Sequence, residues 1–519
     1  MSHVTTNYRG LHWSALLALS YLMVLGAMPA SATGWHTSGS QIVDGTGKVW
    51  TIAGVAWYGA QSRKAEPGGL WTQPYTVILN EIKFYGFNTV RIPISNQNWE
   101  TDPVANGNPP FRDLLANILN YAGSIGLHVI IDDHNVSNGS GITPLWYNGS
   151  YTEQVLINDW VHILDWTHGV IQPGDSVAVN YLASDGDPEV LAFDLKNEPH
   201  TDCSASGCKY TISSMWGSGD GISPATNPNP NPFSPACVSS STCTDWRLGA
   251  ERMGDSMLGE AANHGWDWPL IAVEGIQVCP TSSGSWPNGP FIWDWWGGNL
   301  ACVNGNSANP GAPIVLNAGG NASGLGPAVN NQVVYSAHDY GPALNGQSWF
   351  NTSTCYAKGC SSSSLADVWH QFWSYINEGE VNPTWPGHSG YPWSNTGATA
   401  YTSAPVWIGE FGTPNSSLTD LYSTGNGSEG QWWTDMINFI YSSYTHSGNS
   451  GYNVSDLQFT YWAINGNDTR GILNSSWTGL ALPPMVYSFL CYDEQPPFAL
   501  SFGIGSNQCS STGALPAPQ

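Results

Sequence analysis

Val190-Leu-Ala-Phe-Asp-Leu-Lys-Asn-Glu-Pro199 and Val406-Trp-Ile-Gly-Glu-Phe-Gly412 decide the reading of this chain. Each is a short, nearly unbroken apolar run flanked by Pro or Gly, the pattern of a strand buried on both faces. Each also runs onto a carboxylate, Glu198 in the first and Glu410 in the second. An ionised acid out of water is costly unless it is paired. Two acids at the carboxyl ends of two buried strands therefore point to carboxylates that work together.

Six similar runs surround them: Trp50–Trp57, Phe87–Ile94, Leu127–His134, Pro269–Gly275, Val333–Tyr340 and Leu457–Ala463. Periodic helical segments lie between, among them Tyr75–Tyr85, Phe111–Ile125, Tyr151–Thr167 and Asp245–Asn263. Eight strands alternating with helices predict an α/β fold with a parallel sheet closed into a (β/α)8 TIM barrel. An open doubly wound sheet is the alternative, but no Gly-x-Gly-x-x-Gly follows the first strand. Such a barrel needs about 250 residues. The surplus falls in Thr201–Thr244, Cys279–Asn331 and Pro342–Pro405, rich in Gly, Pro, Ser and Cys. These insertions follow strands, so they belong to the loops at the carboxyl end of the barrel and wall a cleft there.

The chain has 519 residues and is 41% hydrophobic, enough for a large core. Lys plus Arg number 13 against 38 Asp plus Glu, a net charge of −25, which argues against nucleic acid and anionic membrane as partners. The 27 Trp and 23 Tyr exceed what a core needs and suit stacking on sugar faces. Residues 1–32 read as a signal peptide: Arg9 and His12, an apolar run from Leu16 to Met28, then Ala30-Ser31-Ala32 before a cleavage point. A secreted, extracellular protein follows, with 33–509 as one domain and 510–519 as a flexible tail. Ten cysteines agree with an oxidising compartment, and their spacing suggests the pairs Cys203–Cys208, Cys237–Cys243, Cys279–Cys302, Cys355–Cys360 and Cys491–Cys509. Asn-x-Ser/Thr sequons recur from Asn135 to Asn474 and predict a glycoprotein.

Polar and aromatic residues crowd the predicted strand ends: Trp57 and Tyr58, Arg91, His134, Asn197 and Glu198, His338 and Tyr340, Glu410, and Trp462. In a barrel they converge on one mouth. Cleavage of a glycosidic bond with retention needs a nucleophilic carboxylate and a protonated acid about 5 Å apart. Glu198 suits the acid/base and Glu410 the nucleophile. Arg91 and Tyr340 would keep Glu410 ionised and oriented, Asn197 would bond a sugar 2-hydroxyl, and Trp462 would form a platform under the sugar. Glu274, Asp132 and Asp133 are rival acids, and Asp194 is expected to pair with Lys196. His134 and His338 are read as hydrogen-bond partners rather than metal ligands. Neither a serine nucleophile elbow nor a phosphate loop is present.

These residues resemble glycoside hydrolase family 5, the cellulase family, and within it the secreted retaining endo-β-1,4-glucanases. The resemblance rests on Asn197-Glu198-Pro199, Gly409-Glu410-Phe411-Gly412, His338-Asp-Tyr340, Arg91 in Val-Arg-Ile-Pro, Gly54-Val-Ala-Trp-Tyr-Gly59, Asp245-Trp-Arg-Leu-Gly-Ala-Glu251 and Trp295-Trp-Gly-Gly-Asn-Leu300. It implies hydrolysis of β-1,4-glucan without cofactor or metal, with Glu198 as acid/base, Glu410 as nucleophile, and substrate-site places for Arg91, His134, Asn197, His338, Tyr340 and Trp462; Trp57, from the strand-end set, joins them. The chain departs from the bacterial relatives in the long insertion after Pro199 and in Ile464, where they carry a second Trp. A β-glucan polysaccharide or oligosaccharide is the expected partner of a monomeric enzyme. Exo-acting β-glucanase or β-mannanase activity, and a non-catalytic glycan-binding barrel, are the alternatives. The acidic balance and the need for one protonated glutamate predict an acidic working pH.

Overall fold

The structure is a computed structural model. It describes residues 34–139, 141–204, 207–208, 213–217, 243–280, 291–303, 313–317, 328–329, 331–350, 365–377, 404–414, 427–441 and 457–481. The expected signal segment, the tail 510–519 and most of the three insertions lie outside the described residues.

Eight parallel strands close into a barrel. In chain order they are β1 (Ala53–Ala56), β2 (Thr89–Ser95), β3 (His128–Asn135), β4 (Val190–Asp194), β5 (Ile271–Glu274), β6 (Val333–His338), β7 (Val406–Phe411) and β8 (Gln458–Tyr461). Each pairs with the next, and β8 pairs with β1 to complete the ring. All eight are the strands expected from sequence. Helices α1 (Tyr75–Phe84), α2 (Phe111–Ser124), α3 (Glu153–Thr167) and α4 (Trp246–His264) also fall where the periodicity puts them. One boundary differs: β4 ends at Asp194, so Glu198 stands beyond the strand rather than on it.

The period-2 alternation of the strands sorts their side chains. One phase packs outward with the helices, as Val129, Ile131, Phe193, Val273 and Ile408 do. The other phase supplies Ile130, Ala192, Ala272, Val334 and Trp407, a second apolar cluster that fills the barrel and is joined by Trp35, Ile42 and Ile52. Trp35 and Ile42 belong to the segment around a small antiparallel sheet of His36–Ser38, Gln41–Val43 and Val49–Trp50. Continuing the inward phase toward the carboxyl ends gives Asp132 after Ile130, Asp194 after Ala192 and Glu274 after Ala272. The interior thus changes from apolar to ionic along its own axis.

Cys279 and Cys302 form the expected disulfide. Cys243 is also disulfide-bonded, and its expected partner Cys237 lies outside the described residues. A two-residue hairpin register sets Cys203 opposite Cys208. Cys355, Cys360, Cys491 and Cys509 lie outside the described residues. Asn135 is buried at the end of β3, which makes its sequon inaccessible. Among the described residues no helix is long and apolar enough to cross a membrane.

Glu189, just before β4, is 1% exposed, and neither carboxyl oxygen has a hydrogen-bond partner among the described residues. Burial pushes this acid up to about 8 from an ordinary 4.5. The folded chain therefore keeps a proton that the unfolded chain releases between about pH 4.5 and pH 8, and stability falls as pH rises through that window. Glu189→Gln should remove this loss, worth on the order of 4 kcal/mol. Urea unfolding at pH 5 and pH 8.5 reads it out, and an unchanged pH dependence in the variant would contradict it.

Candidate active site

Arg91 lies at the boundary between the apolar plug and the ionic mouth. It is fully buried, with its guanidinium 5.7 Å over the Trp407 ring. Its Nη1 donates to Glu410 Oε1 at 2.6 Å. Its Nε and Nη2 donate to Asp194 Oδ2 at 3.0 and 2.8 Å. Nη2 also meets Asn197 Oδ1 and Glu274 Oε1, both at 2.9 Å, and Asp132 Oδ1 at 3.2 Å. Five donors in a rigid plane suit such a ring of acceptors, which a single ammonium would not satisfy. Asp194 therefore pairs with Arg91, not with Lys196 as the sequence reading expected. The two positions share a strand face, but closure of the barrel brings β2 across to Asp194 first. Burial and the neighbouring Glu274 outweigh the pull of Arg91 and push Asp194 well above the ordinary carboxylate range. Burial opposes the charge on Asp132, but Arg91 and His134 overcome it and hold that acid low.

Glu410, next to last in β7, lies opposite His338 of β6, where the register shifts by one residue. Its Oε2 accepts from Tyr340 Oη at 2.8 Å. Burial, then the charges of Glu410 and Glu198, raise the Tyr340 phenol well above its ordinary value and keep it a donor. Glu198 is the more accessible acid, its side chain 13% exposed against 5% for Glu410. His338 Nδ1 lies 3.0 Å from Glu198 Oε1 and 3.7 Å from Glu410 Oε2. One carboxylate oxygen from each glutamate and one His338 nitrogen all fall within 4.8 Å of one another. Burial works against a charged imidazole, yet Glu274, Glu410 and the bond to Glu198 raise His338 well above its ordinary value.

The rim is aromatic. Trp462 stacks with Tyr58 at 5.0 Å and with His134 at 5.4 Å, and His134 Nδ1 is fixed by Asp132 Oδ2 at 2.7 Å. Asn197 is buried, with its Nδ2 unpartnered among the described residues. Trp57 departs from expectation. It is 0% exposed and its indole N–H donates to the Gly68 carbonyl, so it presents no face to a sugar. The period-2 phase turns Trp57 into the core and leaves its neighbour Tyr58 at the rim. Sequence reasoning also passed over Trp296, 42% exposed and stacked on His200 at 3.8 Å; His200 Nδ1 in turn meets the Glu198 carbonyl at 2.8 Å. Its position in Trp295-Trp-Gly-Gly was the available signal.

Two groups at the mouth have the ligand spacing of a cation site: Glu198, His338 and Glu410, and Asp132, Asp194 and Glu274. The second already holds the Arg91 guanidinium. In the first, both His338 ring nitrogens already face carboxylates, Nδ1 toward Glu198 at 3.0 Å and Nε2 toward Glu274 at 3.2 Å.

A family model described as cellulase (glycosyl hydrolase family 5) matches residues 48–468. This chain belongs to that family. It is accordingly a glycoside hydrolase. An endoglucanase of Paenibacillus polymyxa is 29% identical over 468 residues, covering 88% of this chain and 86% of that protein. The major extracellular endoglucanase of Xanthomonas campestris pv. campestris is 26% identical over 482 residues, covering 90% of this chain and 72% of that protein. Among solved structures, a cellotetraose complex of the endocellulase from Pyrococcus horikoshii shares the fold with a TM-score of 0.57 and 24% identity, covering 87% of this chain and 96% of that one.

Removing the shared cation should be severe. Arg91→Met leaves four buried carboxyls without their common partner and should cost roughly 3–5 kcal/mol. Chemical denaturation at neutral pH measures this, and a loss below about 0.5 kcal/mol, the range of an ordinary surface change, would contradict the assignment.

Proposed function

We propose that this chain is a secreted, retaining endo-β-1,4-glucanase with Glu410 as nucleophile and Glu198 as general acid/base. The approach of Glu198 and Glu410 oxygens to within 4.8 Å carries the reading. Retaining enzymes hold their carboxyls about 5–5.5 Å apart, whereas inverting ones leave about 6.5–9.5 Å for a water. In this reading Glu410 attacks the anomeric carbon while Glu198 protonates the departing glycosidic oxygen. A covalent glycosyl-enzyme forms and the shortened glucan leaves. Glu198 then takes a proton from the water that opens the ester, and the anomeric configuration is retained.

The neighbours fit those roles. Arg91 and Tyr340 each bind one Glu410 oxygen, which fixes its direction. The spare donor of Asn197 is suited to a sugar hydroxyl. The half-exposed Trp462 offers a stacking surface, and Tyr58 and Trp296 extend the aromatic rim. The names of the relatives support endo action on cellulose, and one of them is an extracellular enzyme. We read 1–32 as the leader and 33–509 as the catalytic domain.

Carboxymethylcellulose and short cello-oligosaccharides test the reading. Viscosity should drop early, and proton NMR should show the β-anomer of the product first. Glu198→Gln should lower kcat on glucan by roughly 10²–10⁴-fold, and Glu410→Gln should abolish turnover while sparing sugar binding. Steady release of one small sugar would favour exo action. A first-formed α-anomer would contradict retention, and faster turnover of mannan would reassign the substrate.

A further inference from the structure

We propose that Glu274 is the positioning residue of Glu198, setting its backbone directly and its side chain through His338. The inference rests on the reading of Glu198 as acid/base.

Glu274 is fully buried at the end of β5 and cannot touch substrate. Its two oxygens accept two hydrogen bonds and face one further nitrogen. Oε2 accepts from the Glu198 backbone N–H at 2.6 Å. Oε1 accepts from Arg91 Nη2 at 2.9 Å and forms an ion pair with His338 Nε2 at 3.2 Å. The first contact acts on an unusual backbone: Glu198 has φ +49°, the left-handed region that L side chains rarely enter. Such a conformation persists only where its surroundings over-determine it. A charge-assisted bond to the amide of that very residue supplies the constraint.

The second contact reaches the reacting carboxyl. Glu274 Oε1 holds the ring at Nε2, and the same ring meets Glu198 Oε1 through Nδ1 at 3.0 Å. Glu274 therefore holds Glu198 at both ends.

Glu274 is itself locked. Its carbonyl accepts from the Trp246 indole N–H at 2.9 Å. Gly297, at φ +70°, lies so close that a Cβ there would stand 2.6 Å from Glu274 Oε2 and 3.3 Å from Glu198 Cα. The sequence segments Asp245-Trp246 and Trp296-Gly297-Gly298 thus serve one junction.

A glutamine at 274 has one acceptor oxygen and an NH₂ that must face a donor. It cannot satisfy the Glu198 amide, Arg91 and His338 together. The test is the leaving-group dependence of kcat/KM on aryl β-cellobiosides in the full-length enzyme. A dinitrophenyl leaving group needs no proton, whereas a phenyl or methoxyphenyl one does. Glu274→Gln should lower kcat/KM about 100-fold on the poor leaving groups and less than about 5-fold on dinitrophenyl cellobioside, with the limit set by the usual worth of general acid catalysis. Equal losses on both would overturn the proposal, because damage to the fold or to Glu410 through Arg91 slows every substrate. No loss on either would overturn it as well. Should the glutamine variant not fold, Glu274→Asp keeps the charge but withdraws the oxygens, and the same selective loss is expected; a uniform one contradicts the proposal. Glu198→Ala run in parallel separates the two claims: if it shows no leaving-group dependence, the acid/base reading fails on its own account.

Discussion

The site depends on one buried guanidinium. Arg91 sits on the apolar plug of the barrel and faces Asp132, Asp194, Glu274 and Glu410 from four other strands. Without it, four acids would crowd one pocket, three of them fully buried and Glu410 nearly so, at a cost of several kcal/mol for each unpaired ion. With it, Glu410 acquires a fixed direction and Asn197 a fixed orientation. The same cation also makes the cluster cooperative: each acid that leans on Arg91 alters the proton affinity of the others. Asp194 is pushed above the ordinary carboxylate range while Asp132 is held below it, although both touch the same nitrogen.

Around that centre the two glutamates are held by different means. Glu410 belongs to a strand, and Arg91 and Tyr340 occupy its two oxygens. Glu198 stands four residues beyond the end of β4, with a left-handed backbone conformation, and is held by contacts from β5 and β6. A fixed nucleophile and a separately mounted acid suit a reaction in which the acid must both give and take a proton.

The barrel was legible in the sequence because parallel strands covered on both faces read as uninterrupted apolar runs. Helix positions followed from their periodicity, and the Cys279–Cys302 bridge from spacing alone. Strand-end chemistry was legible in kind: Arg91, Asn197, Glu198, His338, Tyr340 and Glu410 do meet. Partner choice was not legible, because it depends on closure of the ring. Asp194 looked like a partner for Lys196 two residues away, but its neighbour in space comes from β2. Trp57 and Tyr58 were both aromatic strand-end residues, and only the phase of the pleat tells which one is buried. Glu274 looked like a rival acid, and its bond to a backbone amide in a loop left no trace in composition. The end of β4 was placed too late because Leu195 prolongs the apolar pattern past Asp194 and the first strand breaker, Pro199, comes only after Glu198.

The most direct measurement of the central claim is trapping of the glycosyl-enzyme. Incubation with dinitrophenyl 2-deoxy-2-fluoro-β-cellobioside should release one equivalent of dinitrophenol and leave one fluorocellobiosyl group on the protein. Peptide mass mapping should place that group on Glu410. An adduct on Glu198, on Glu274 or on no residue, with the natural enzyme active, would contradict the account.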